Sequence, residues 1–127
     1  MAGQALSSEE LAREIARLAG DKKAADVVVL DVRSVVSYTD FFVICTGNTE
    51  RQTRSIQEGV NQGLKHADAG GERLLPTRVE GHEEARWILM DYLDCVVHIF
   101  TLEARDFYRL ETLWGEVPKL ELEQQLA

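Results

Sequence analysis

Apolar runs are short in this chain. Val27 to Leu30 and Trp87 to Met90 hold four residues each, far below the roughly 20 that a membrane-spanning helix needs. A helical membrane protein is therefore not expected. Met1 to Ser8 carries neither a basic stretch nor an apolar core, so no signal peptide or transit segment is expected there. Cysteine is scarce as well: Cys45 and Cys95 each sit inside an apolar run, without the C-x-x-C spacing of redox and zinc sites. Buried free thiols in a reducing cytoplasm are the reading that follows. Basic residues are outnumbered, 14 against 22 acidic ones, for a formal net charge of −8. Nucleic-acid affinity comes largely from Lys and Arg displacing condensed counterions, so direct RNA or DNA binding is not expected. If such a chain acts on a nucleoprotein particle, it should approach an exposed basic protein rather than the nucleic acid.

What is present suffices for one compact core: 127 residues with 45% hydrophobic content are enough for a single domain and too few for two ordinary ones. We read residues 1–115 as that domain and 116–127 as a tail. Ser7 followed by Glu10 is a capping-box pattern, and Leu11, Ile15 and Leu18 share a helical face. Together they predict a first helix over Ser8 to Ala19. Ala25 to Val32 is β-branched and nearly continuously apolar, as a strand covered on both faces reads. Asp40 to Thr46 is a second strand, and the short polar link between the two implies antiparallel pairing.

Thr49 with Gln52 opens a second helix whose ridge is Ile56, Val60 and Leu64, reaching Lys65 despite Gly59 and Gly63, with Gly70 and Gly71 breaking the chain beyond it. Leu74 to Glu80 reads as a third strand, with Pro76 placing it at an edge or making its first half irregular. Trp87 to Tyr92 and Cys95 to Thr101 are two further strands, close enough to require a tight hairpin. A last helix over Glu103 to Trp114 would turn Phe107, Leu110, Leu113 and Trp114 to its apolar side, with Gly115 ending it. This order predicts an α/β domain with one mixed five-stranded sheet flanked by helices. The tail, with Leu120, Leu122 and Leu126 among acids and glutamines, reads either as a short extra helix or as a disordered end.

Candidate sites are few. Thr46 to Thr49 puts one glycine, Gly47, between a strand and a helix N-terminus, where an anion could bind. Phosphate cradles carry two or three glycines at fixed spacing, so a tight turn with a helix cap explains the segment without a ligand. Glu80, His82, Glu83 and Glu84 are of metal-binding type, but they lie along a Gly81 turn without ligand spacing and read as a solvated acidic turn. His98, central in a strand, has no Ser, Cys or Asp completing a triad and reads as a core histidine, and His66 reads as exposed. Asp91 and Asp94 flank the hairpin, where Asp is favoured for its local hydrogen bonds. Trp87 opens a strand directly after the charged stretch Glu83 to Arg86, which allows either a core position or an interface rim, where tryptophan is enriched. No catalytic residue, cofactor or metal site is expected.

Several segments together resemble the Iojap/RsfS ribosomal silencing factors. They are VVVLDV at Val27 to Val32, TDFFVICTGNTERQ at Thr39 to Gln52, VEG at Val79 to Gly81, ARWILMDYLDCVVHIF at Ala85 to Phe100, and RDFYRLETLW at Arg105 to Trp114. The resemblance spans Leu11 to Trp114 and rests on the order of these motifs. It implies a fold related to nucleotidyltransferases without their catalysis. It also implies a cytoplasmic repressor of translation under nutrient limitation, one that binds the fourteenth large-subunit ribosomal protein and blocks subunit joining. A homodimer in the free state is implied as well. Carried onto this chain, the contact roles fall on Trp87 and Tyr92, with Asp91 and Asp94 as acidic partners for basic ribosomal side chains. Regular strand alternation sets Trp87 and Tyr92 on opposite faces, so a shared contact requires a bulge, a strong twist or an early strand end. The alternative reading is a nucleotide-handling enzyme using the Gly47 loop. Nucleotidyl transfer needs paired carboxylates at alternate strand positions to hold Mg²⁺, and Asp31 is followed by Val32 and Arg33. No magnesium-dependent incorporation from a nucleoside triphosphate is therefore expected; incorporation lost on Asp31→Asn would overturn this reading.

Overall fold

The computed structural model of the protein describes residues 6–66, 73–109 and 116–122. In chain order the elements are α1 (Ser8–Asp21), β1 (Ala25–Asp31), β2 (Phe41–Gly47), α2 (Glu50–Lys65), β3 (Arg78–Glu80), β4 (Trp87–Asp91), β5 (Cys95–Thr101) and α3 (Leu102–Tyr108). The five strands form one mixed sheet in the order β1-β2-β5-β4-β3. β2 and β5 run parallel at its centre, and every other pair is antiparallel. The α/β architecture and mixed five-stranded sheet expected from the sequence are those observed. No helix among the described residues is long and apolar enough to cross a membrane.

Both long helices start where their caps place them. Ser7 Oγ accepts from the Glu10 backbone N–H at 3.1 Å, and Glu10 Oε1 accepts from the Ser7 N–H at 2.8 Å, closing the capping box. Leu11, Ala12, Ile15, Ala16, Leu18 and Ala19 then fall on the buried side of α1, the spacing of a helix with one apolar stripe. Thr49 caps α2, which buries Thr53, Ile56, Val60, Gly63 and Leu64. Gly63, costly to helix propensity on its own, has a packing reason. A Cβ there would stand 2.5 Å from Leu18 Cδ2, so the glycine lets α1 and α2 approach closely.

α1 and α2 lie together on one sheet face, over Val29, Phe41, Val43, Cys45, Ile88, Met90, Tyr92, Cys95, Val97 and Ile99. The alternate residues form a second cluster on the opposite face, including Leu30, Phe42, Ile44, Val96 and Phe100, joined by Ala104 of α3 and Val117. β2 is buried along its whole length, the mark of a central strand covered on both sides.

Four details differ from the sequence expectation. The third strand is only Arg78–Glu80, with 73–76 irregular ahead of it, and it lies at the sheet edge as Pro76 suggested. β1 departs from regular pairing between Ala25 and Val28, where Asp26 takes a φ of 50°. α3 is described over Leu102–Tyr108 and is capped by Arg109 in the left-handed region. Leu110, Leu113, Trp114 and Gly115 lie outside the described residues, as do Gly70 and Gly71, and Phe107, expected on the apolar side, is 76% exposed.

The fourth difference is the tail, over its described residues 116–122. It is neither helical nor detached but runs extended along the outer edge of β1. The Asp31 N–H donates to Pro118 O at 2.8 Å and the Leu120 N–H to Val29 O at 2.9 Å, with Leu30 and Lys119 bridged antiparallel. Val117 joins one core cluster while Leu120 and Leu122 pack on the other. The unpaired N–H and C=O groups of an edge strand supply the physical reason, because they order any extended segment that can satisfy them.

The turn before β4 hinges on Gly81. Its φ is +82°, and a Cβ there would lie 2.0 Å from the Trp87 carbonyl oxygen. Strain of the backbone and this clash act together, so Gly81→Ala should lower stability by about 2–4 kcal/mol, measured as a fall in the urea unfolding midpoint at unchanged slope. Wild-type stability in that variant would show that the turn relaxes freely.

Candidate functional site

The sheet face away from α1 and α2 concentrates the exposed aromatic side chains. Strand alternation puts Trp87 and Leu89 of β4 on this face with Phe42 of β2 and Phe100 of β5. Trp87 is positioned by the turn that precedes it. The Thr53 hydroxyl donates to Ala85 O at 2.7 Å, Arg54 donates to His82 O at 3.1 Å and also to Glu83 O, and the Thr101 N–H donates to Arg86 O at 3.0 Å. α2 and β5 thus fix the acidic turn through its carbonyls. Among the described residues no group of three or more His, Cys, Asp or Glu side chains could hold a metal ion.

Trp87 itself is half-buried. Its ring centroid lies 5.0 Å from Phe100, 4.6 Å from Tyr108 and 5.9 Å from His98, within the range of favourable aromatic contact. Tyr108 is itself exposed, and Phe107 meets it edge-on at 5.0 Å. The cluster therefore runs from a buried base at Phe100 out to solvent at Phe107.

His98 forms part of the base. It is 5% exposed, and its Nδ1 accepts the Trp87 Nε1–H at 3.1 Å. An imidazole that accepts at Nδ1 carries its proton on Nε2, and that Nε2 has no hydrogen-bond partner among the described residues. Phe42 stands edge-on at 5.0 Å and Phe100 lies nearly parallel at 6.3 Å. Burial among these rings pushes the imidazole down to about 4, so it is neutral near pH 7.

The residues singled out from the sequence do not all converge. β4 pairs with β5 without interruption from Trp87↔Phe100 to Asp91↔Val96, so no bulge brings Tyr92 round to the side of Trp87. Tyr92 is 6% exposed in the helix-side core, where burial raises its phenol. β4 ends at Asp91, one residue short of the expected strand, yet Tyr92 stays on the side of the sheet away from Trp87. Asp91 is partly engaged. Its Oδ1 accepts from the Leu93 N–H at 2.8 Å, and its Oδ2 lies 3.9 Å from Arg78 Nη2. Asp94 is exposed at the hairpin, and its carbonyl oxygen accepts from the Asp40 and Phe41 N–H groups. His98, Phe100 and Tyr108 were missed as site residues. The i, i+2 spacing of His98 and Phe100 signals a shared face, but the cross-strand register that brings Trp87 to them is not written in either segment.

The Gly47 loop is spoken for by its own side chains. Gln52 Oε1 accepts from the Asn48 N–H at 2.7 Å, and Thr49 Oγ1 from the Gln52 N–H at 3.0 Å. A Cβ on Gly47 would meet Thr53 at 3.0 Å, so close packing accounts for the glycine. Asp31 is held by Arg33 through Oδ1 at 2.9 Å and Oδ2 at 2.7 Å, and this hydrogen bonding lowers its carboxyl below the usual range. Both thiols are buried; burial pushes Cys45 up to about 12 and raises Cys95.

A depressed histidine makes stability depend on pH in a definite sense. The unfolded chain takes up a proton near pH 6.5 and the native chain only near 4. Stability from the neutral imidazole is thus complete above about 6.5 and is lost as pH falls toward 4. The loss should reach roughly 3 kcal/mol, read as the difference in urea-unfolding free energy between the wild type and His98→Asn across that window. Parallel pH profiles for the two proteins would show that the imidazole is not held neutral.

The chain is similar to proteins of one family along most of its length. The sequence profile described as ribosomal silencing factor during starvation matches residues 5–127. A ribosomal silencing factor RsfS from Halalkalibacterium halodurans is 41% identical over 118 residues, covering 93% of this chain and 97% of that relative. Its counterpart from Bacillus subtilis is 34% identical, covering 93% and 96%. Among solved structures, a Chromobacterium violaceum protein superposes with a TM-score of 0.80 at 29% identity over 93% of both chains. One from Bacillus halodurans gives 0.72 at 37% identity, over 86% of this chain and 95% of that one.

Proposed function

Since the chain belongs to the ribosomal silencing factor family, we propose that it represses translation by docking on the large ribosomal subunit through the fourteenth ribosomal protein. In that position it excludes the small subunit. The silencing role is supported by the names of its relatives, and the observation that carries the surface assignment is the aromatic ladder of Trp87, Tyr108 and Phe107. A half-buried tryptophan that is braced from below and open above is the form an interface anchor takes. The net charge of −8 opposes approach to ribosomal RNA and favours a basic protein patch.

Asp91 and Asp94 supply acidic charge at the other end of β4 from the anchor. Their part is to speed encounter and fix orientation, because rim charges contribute little to affinity itself. Tyr92, buried on the opposite face, has no part in this surface. Exclusion by a bound domain of this size is steric and requires no catalysis, so the protein acts as a regulator and not as an enzyme. The nucleotide-handling alternative gains no support from a Gly47 loop in which the Asn48 and Gln52 N–H groups already bond to Gln52 and Thr49.

Trp87→Ala should retain the far-ultraviolet circular dichroism of the folded chain while losing on the order of 2 kcal/mol or more of binding to isolated large subunits. It should also lose inhibition in a reconstituted translation system. Subunit association blocked by the variant at the wild-type concentration would overturn the surface assignment. Failure of the wild type to block association would overturn the functional reading.

A further inference from the structure

His98 satisfies only half of its hydrogen-bonding capacity. Nδ1 accepts the Trp87 indole N–H at 3.1 Å, while the buried Nε2 finds no partner among the described residues. An unpaired buried N–H destabilises a fold, whereas a leucine or phenylalanine of similar size at this position would pack against Phe42 and Phe100 without that penalty. What the imidazole offers here that an apolar side chain lacks is an acceptor, and the geometry shows what it accepts. Trp87 stands at the start of β4, opposite Phe100 in the register, while His98 stands opposite Leu89. The imidazole therefore reaches Trp87 diagonally across the face, and it meets the one polar atom that the indole has. A half-exposed tryptophan without such a partner can turn about its side-chain bonds and give its N–H to water.

We propose that His98 is a positioning residue for the docking surface: its imidazole accepts the Trp87 indole N–H and holds the ring in the one orientation that the ribosomal partner meets. The inference rests on the docking role given to Trp87. Its energetic basis is preorganisation, since a side chain already fixed in its bound rotamer loses no conformational freedom on association. The same bond removes the indole N–H from the contact, so the partner meets the face and edge of an apolar ring. A complementary pocket on the partner is accordingly lined with apolar groups and needs no acceptor for Trp87.

Two arms test this. In the free protein, nitrogen-15 spectra of the imidazole should show the Nε2–H tautomer. The Trp87 indole N–H resonance, assigned by its absence in Trp87→Phe, should move in His98→Leu and stay near its wild-type position in His98→Asn, whose Oδ1 replaces the acceptor. An Nδ1–H tautomer in the wild type, or an unmoved indole resonance in His98→Leu, overturns the proposal whatever the ribosome does. In the second arm, co-sedimentation with purified large subunits should show His98→Leu binding roughly five- to tenfold more weakly, the usual cost of ordering one free side chain on association, at equal or greater stability. His98→Asn should recover most of that loss. A purely structural histidine would lose stability and binding together. Trp87→Phe, which keeps a ring but has no N–H, should also bind more weakly, and this variant serves if His98→Leu does not fold. Wild-type affinity in His98→Leu or in Trp87→Phe overturns the positioning role and leaves the docking reading intact. No binding by the wild type, with the tautomer as expected, overturns the docking reading and with it the claim on the partner.

Discussion

The parallel pairing of β2 with β5 is the constraint on which the rest of the structure depends. Two central strands in register from Phe41↔Cys95 to Gly47↔Thr101 must bury both of their faces, and strand alternation divides their side chains between two cores. Phe41, Val43 and Cys45 face the helices with Cys95, Val97 and Ile99. Phe42 and Ile44 face the other way with Val96 and Phe100. Parallel neighbours cannot be joined by a short turn, so the chain between them carries α2, β3, the Gly81 turn and β4. The element that presents Trp87 is thus part of the crossover that the central pair requires.

The two cores differ in character. The helix side is mostly aliphatic and closed, with Phe41, Tyr92 and both thiols sealed within it. The other side is built from rings, and its packing is directional: Phe42 edge-on to His98, Phe100 parallel to it, Trp87 tilted over Phe100 and Tyr108. Aromatic pairs of this kind prefer particular orientations beyond simple area burial, and such a surface holds its shape before a partner arrives. The neutral imidazole belongs to that arrangement, because a charged one could not remain among the rings without its solvation.

Much of this was legible in the sequence. Ser7 and Glu10 announce α1, and Thr49 with Gln52 announces α2, because capping is local chemistry written within four residues. The β4–β5 hairpin follows from the two-residue gap between Tyr92 and Cys95, although the strand itself stops one residue earlier, at Asp91, and the opposite facing of Trp87 and Tyr92 follows from alternation alone. What could not be read depends on distant partners. Nothing near Leu120 says that β1, some ninety positions earlier in the chain, has an edge to offer, and the segment's acids and glutamines suggested solvent instead. Phe107 was set on an apolar side because its spacing suits one, yet α3 presents it outward. The bond between Trp87 and His98 depends on sheet register, which is fixed by the hairpin and the central pair jointly.

Residues 116–122 along β1 have a bearing on how copies of this chain can meet. Those residues take up the Asp31 N–H and the Val29 carbonyl, so a second molecule approaching that stretch meets backbone groups that already have partners. Satisfied groups give no template for strand addition, and along Val29 to Asp31 the chain guards its own sheet against edge-to-edge aggregation.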